Sequence, residues 1–132
     1  MATDTDLRTY VVADGTVSAI TTRYYQNTVP EGAELPFIWC RRSRMQRREM
    51  LDAVRDIEAE FFDIECVSDD LDDAISLADA VRDRLEGTSG TVGSGSYAHI
   101  GVEDQFDEYV ARNQDADEHL HIVSLIVEVT LP

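Results

Sequence analysis

Residues 68–87 read Ser68-Asp69-Asp70-Leu71-Asp72-Asp73-Ala74-Ile75-Ser76-Leu77-Ala78-Asp79-Ala80-Val81-Arg82-Asp83-Arg84-Leu85-Glu86-Gly87. Ser68 or Asp69 can cap a helix here, because a short polar side chain accepts from the unpaired N–H groups of the first turn. Four aspartates crowd the positive end, while Arg82 and Arg84 fall in the last turn before Gly87. Leu71, Ile75, Ala78, Val81 and Leu85 recur at helical spacing, which predicts one apolar stripe facing a core.

The flanks of this helix read as strands. Upstream, residues 58–68 alternate, with Phe62, Ile64 and Cys66 on one side and Asp63 and Glu65 on the other. Residues 35–42 are apolar on both sides, Leu35, Phe37 and Trp39 against Ile38 and Cys40, which predicts a central or doubly covered strand. Residues 43–57 suit either a helix through Met50, Val54 and Ile57 or a charged hairpin of two long strands. Residues 23–26 predict a short strand, and 27–34, with Pro30 and Gly32, a turn-forming loop. Residues 3–22 predict a helix bearing Leu7, Tyr10, Ala13, Val17 and Ile20, interrupted at Asp14-Gly15, where Asp14 caps a second piece.

Downstream, residues 87–96 hold Gly90, Gly93 and Gly95 among serines and threonines, a composition for a flexible loop. Residues 97–102 predict a strand, and 104–118 an acidic connection with a helical turn around Phe106 and Tyr109. Residues 119–131 predict a long final strand. Its one face carries His119, His121, Val123, Leu125, Val127, Val129 and Leu131, and its other face starts too apolar for open water, with Leu120, Ile122 and Ile126. The expected order is α-β-β-β-α-β-β: a single α+β domain over 1–132, with an antiparallel or mixed sheet and two main helices on one face. Two helices cover one face of such a sheet, so Leu120, Ile122 and Ile126 are expected at a subunit interface.

The whole chain has 132 residues, 43% hydrophobic and 29% charged, with 11 basic against 27 acidic residues and a net charge of -16. That is enough apolar material for one core. Its charge opposes autonomous binding to nucleic acid or anionic lipid. No basic flank leads into an apolar run, and no stretch is long enough to span a bilayer, so a soluble intracellular product without membrane contact is expected. Cys40 and Cys66 lack metal or disulfide spacing and read as small core residues. Every basic residue is arginine. Lysine-free acidity resembles proteins of extreme halophiles, whose carboxylates stay hydrated while salt shortens their mutual repulsion.

Two constellations bear on chemistry. Asp115, Asp117, His119 and His121 have metal-ligand types, and alternation places Asp117, His119 and His121 on one side of an extended segment, the basis of an alternative reading as a small metal-dependent enzyme. A solvated strand entry in an acidic protein gives the same pattern. The 69–73 aspartates lack the Gly and Glu of a calcium loop. No nucleophile elbow occurs, and a phosphate loop would need a lysine. Arg41, Arg42, Arg44, Arg47 and Arg48 concentrate positive charge against the overall field. Their planar forks suit an acidic surface on a partner subunit, although a solvated hairpin tip would look alike.

Arg23-Tyr24-Tyr25, then the Pro30-Glu31-Gly32-Ala33-Glu34-Leu35-Pro36 turn entering Phe37-Ile38, resembles the tail-completion or tail-terminator proteins of long-tailed viruses. The broken N-terminal helix at Asp14 and the run Ala74-Ile75-Ser76-Leu77-Ala78-Asp79-Ala80-Val81-Arg82-Asp83-Arg84-Leu85 stand where that family has a broken helix and an A-x-x-L-A-x-A-[VI]-R-x-x-L helix. The resemblance implies a non-enzymatic virion protein without cofactors, a ring-forming subunit. Its homohexamer would end the tail tube, adjoin a head-tail connector or stopper protein, and pass viral DNA through its channel without sequence recognition. Its place would be the virion tail-head junction, after assembly in the host cytoplasm. The charge of 43–57 and the general acidity depart from that family.

Overall fold

A computed structural model describes residues 3–49, 55–93, 95–111 and 119–131. The elements in chain order are α1 (Thr3–Val12), α2 (Gly15–Ile20), β1 (Tyr24–Gln26), β2 (Phe37–Glu49), β3 (Arg55–Ser68), α3 (Leu71–Leu85), β4 (Thr88–Val92), β5 (Gly95–Ala111) and β6 (His119–Thr130). The strands form one six-stranded sheet in the order β1-β2-β3-β6-β5-β4. Only β1 and β2 run parallel, so the sheet is mixed and the fold is α+β.

The N-terminal helix breaks where the Asp14-Gly15 pair demands it. Asp14 is extended, and its carboxylate accepts from Val17 N at 3.1 Å, so one residue both ends α1 and starts α2. The α3 cap falls later than expected, on Asp70, which accepts from the Asp72 N–H, while the Ser68 hydroxyl accepts from the Asp70 N–H. The buried stripe of α3 is Ala74, Leu77, Ala78, Val81 and Leu85, and Leu71 is exposed. Of the expected stripe, Ala78, Val81 and Leu85 are in the core and Ile75 packs half-buried against it, while Leu71 in the first turn stays exposed.

Three helices pack on one sheet face. Their core meets Ile38 and Cys40 of β2, Phe62, Ile64 and Cys66 of β3, and Val123, Leu125, Val127 and Val129 of β6. Arg84 ties α3 to α1, its Nε donating to the Tyr10 carbonyl at 3.0 Å and its guanidinium lying 3.7 Å from the Tyr10 ring centroid. Both cysteines belong to this core. Burial pushes the Cys40 thiol up to about 12 and the Cys66 thiol higher still.

Two expected irregular segments are strands. Residues 88–92 pair with β5, from Thr88↔Ile100 to Val92↔Gly95, in place of the expected loop. Glycine allows the sharp return: Gly93 has φ +59, and its α-carbon side abuts Asp6 so closely that a Cβ would lie 2.9 Å from the Asp6 Cα. Residues 104–111, expected as an acidic connection with a helical turn, continue β5 alongside β6 to Ala111↔His119. The ambiguous stretch resolves toward strands, with β2 and β3 paired out to Glu49↔Arg55. Met50 and Val54 lie outside the described residues.

Candidate functional site: the open sheet face

Alternation along the strands sends every second side chain away from the helices, and register decides which of these meet. Three rows run across this open face. Phe37, Val67, Ile122 and Glu108 form the first, through Phe37↔Val67, Val67↔Ile122 and Glu108↔Ile122. Trp39, Glu65, Ser124 and Phe106 form the second, and Arg41, Asp63, Ile126 and Asp104 the third.

At one end of the face a groove of about 380 Å³ is lined by Asn27, Val29, Phe37, Trp39, Val67, Leu120 and Ile122, among others. Its floor is apolar, with Phe37 and Val67 buried and Leu120 and Ile122 half-buried. The Trp39 indole N–H donates to the Asn27 carbonyl at 2.9 Å, which fixes the 27–29 loop as the groove's wall. Tyr25 braces Phe37 from the side, ring centroids 5.6 Å apart. Phe106, in the next row, is 47% exposed, the largest exposure of any big apolar side chain among the described residues.

Carboxylates rim this apolar patch. Arg41 lies 4.4 Å from the Trp39 ring centroid and pairs with Glu65 at 3.5 Å and Asp63 at 3.9 Å. Burial nonetheless raises Glu65 above its ordinary range against the pull of Arg41, with Glu108 and Asp63 adding to the rise. Glu103 and Glu128 share a hydrogen bond that raises Glu128 too, helped by burial and by Glu103's charge. The Ser124 hydroxyl is buried without a hydrogen-bond partner among the described residues.

Of the predicted interface residues, Ile122 and Leu120 join the groove, and Ile126 stands two rows away beside Asp63 and Asp104. The aromatic half of the patch, Phe37, Trp39 and Phe106, was missed as a site. Its signal is the two-sided apolarity of 35–42, which predicts a central or doubly covered strand: residues 38–40 do lie between β1 and β3, but among the described residues no helix covers the Phe37 and Trp39 side. Of the predicted arginines, Arg41 faces its own acids, Arg42 pairs with buried Glu60 at 3.5 Å, and Arg44 stacks 4.0 Å over the buried Phe61 ring. Arg47 and Arg48 continue β2 opposite Ile57 and Asp56. Asp115 and Asp117 of the metal reading lie outside the described residues. His121 pairs in register with Ser68 and Tyr109, and among the described residues no three acidic, histidine or cysteine side chains gather as metal ligands.

The mixed sheet carries its helices on one face and presents an apolar, acid-rimmed patch on the other, the kind of surface that marks interaction sites on soluble proteins. The family described as tail completion protein gp17 matches residues 5–127, and the chain belongs to that family, structural proteins of virus tails. The fold is similar to a chain in the structure titled virion of native gene transfer agent (GTA) particle, with a TM-score of 0.62 and 18% identity, covering 98% of this chain and 96% of that one. Comparison with curated proteins finds no match.

Proposed function

We propose that this chain ends the tail tube at its junction with the head, as one subunit of a homohexameric ring whose copies meet through Leu120, Ile122 and Ile126. The observation that carries the reading is the open sheet face. It presents a groove of about 380 Å³ with Phe37, Trp39, Val67, Leu120 and Ile122 around it, and the helices of the described residues all lie on the opposite side. Such a patch is costly to leave in water. Membership of the tail completion family supports the reading by making the chain a structural protein of a virus tail. In that setting a tail tube protein lies on one side, a head-tail connector or stopper protein on the other, and DNA passes between them. Arg41, Arg42, Arg44, Arg47 and Arg48 meet acidic partner surfaces. The lysine-free acidity belongs to a virus of a halophilic host.

The test is native mass together with one variant. The parent is expected to run as a six-fold assembly, and Ile122→Glu as a folded monomer, because a buried unpaired carboxylate at a contact costs several kcal/mol, about the scale of a weak interface. An Ile122→Glu chain that assembles like the parent would remove this face from the interface.

A further inference from the structure

The sheet has two long free edges, and their charges are opposite. β1 covers β2 only from Ile38 to Cys40, so among the described residues no strand lies outside β2 over residues 41–49. β4 covers β5 only as far as Ile100, leaving residues 101–111 without an outer strand among the described residues. The free part of β2 carries Arg41, Arg42, Arg44, Arg47 and Arg48 against Glu49 alone. The free part of β5 carries Glu103, Asp104, Asp107 and Glu108 and no basic residue. Arg42 and Arg44 on one edge, and Glu103, Asp104, Asp107 and Glu108 on the other, are exposed.

Exposed edges are templates for a further strand, and like charges are the usual guard against wrong pairing. Here β2 repels a second β2, and β5 repels a second β5, which disfavours any two-fold contact through either edge. A β2 edge and a β5 edge attract. We propose that the β2 edge of one copy pairs with the β5 edge of the next, so that the sheets continue from subunit to subunit around the ring. This inference rests on the ring reading above and places the joint between neighbours at the strand edges instead of at the Leu120, Ile122 and Ile126 face.

Topology agrees. β2 is antiparallel to β3, β3 to β6 and β6 to β5, so β2 and β5 run in opposite directions and meet as an antiparallel pair. Arg42 and Val102 stand level across the sheet through Phe62 and Val127. The free stretch of β2 runs one way from that level and the free stretch of β5 the other. Pairing them staggers neighbours by about six residues, roughly 20 Å at about 3.3 Å per residue. Across the strands β2, β3, β6 and β5, about 4.8 Å apart, that stagger inclines the strands by about 45°, near the roughly 35–45° tilt of closed barrels. A contact joining two different edges is heterologous, the kind that closes into a ring when its rotation closes and otherwise runs on as a filament.

The experiment compares four chains at the lowest chloride concentration at which the parent assembles, each checked for parental circular dichroism. Arg44→Glu with Arg47→Glu and Arg48→Glu should lose the assembled mass, and so should Asp104→Arg with Asp107→Arg and Glu108→Arg. Carrying all six changes, one chain should assemble again, because both edges are reversed together. Hydrogen exchange supplies the backbone readout: amides in 41–49 and 101–111 should exchange at least ten-fold more slowly in the assembly than in the monomeric variants. A parent that stays monomeric at every salt concentration would sink the ring reading and this inference with it. A parent that assembles, with either triple variant assembling equally, with no rescue in the six-fold variant, or with both edges unprotected, would sink the edge pairing alone.

Discussion

Glu65 is a single side chain on the open face whose charge works against folding. It is covered by its neighbours, with its side chain 13% exposed, and is paired with Arg41 at 3.5 Å. Burial still outweighs that pairing and holds the proton to higher pH than the ordinary value of 4.5. Between 4.5 and the raised value the folded chain binds a proton that the unfolded chain releases, so this group's contribution to stability falls as pH rises through that interval. Glu65→Gln removes the titration. The variant should melt above the parent at pH 7, with the difference shrinking toward pH 4. Melting curves across that range decide it, and a variant that melts lower at pH 7 would show the Arg41 pair to be the stronger influence.

At the scale of the element, the β4–β5 hairpin is the least expected part of the fold and the most closely fitted. Its turn glycines press against α1. A Cβ on Gly95 would lie 2.5 Å from Asp6 Oδ2 and 2.7 Å from the Tyr97 hydroxyl, which itself donates to the buried Asp6 carboxylate. Asp6 and its neighbour Thr3, which donates to buried Glu60 at 3.0 Å, join the first helix to both β5 and β3 through polar contacts beneath the sheet. Gly95→Ala should therefore destabilise by about 1–3 kcal/mol, the usual cost of overpacking. Denaturant unfolding measures it, and a change under roughly 0.5 kcal/mol, the range of an ordinary surface substitution, would mean the hairpin yields freely. The hydrogen bond also explains why serine- and glycine-rich residues settle as a strand: their small side chains let α1 approach the backbone.

The whole molecule carries -16 on 132 residues, and the proposed ring would multiply that charge at close range. At about 0.1 M salt the screening length is about 10 Å, and near 1 M it is about 3 Å. Assembled mass should therefore rise with sodium or potassium chloride, and melting temperature should rise with it. Ring formation should fail at low salt before the monomer unfolds, since repulsion between subunits adds to repulsion within each. Native mass and melting temperature across one salt series test both statements. A flat profile would mean that the acidity is incidental and would withdraw the halophilic host.

What sequence determined alone is what neighbours along the chain decide. The Asp14 cap, α3 with its aspartate-rich start and arginine-rich end, the alternation of 58–68 and the long strand over 119–131 all follow from local hydrogen bonding and period, and the structure has each of them. Motifs at turns and helix also pointed to the tail completion family, because such residues answer to backbone geometry that a fold preserves. Tertiary structure alone decided the rest. Whether 88–92 became a strand depended on Asp6, about 90 residues before Tyr97 in the chain, lying beneath the hairpin. Whether 104–111 became a strand depended on β6 offering it a partner, since its acids oppose burial but not an edge. Residues 38–40 are central between β1 and β3, as expected, but the described helices all pack on the other face, so no helix covers Phe37 and Trp39. Register then gathered them with Val67 and Ile122, and strand order put the arginines on one edge and the acids on the other. Periodicity along a strand tells which residues share a side; only pairing between strands tells which of them touch, and which edge is left for another copy.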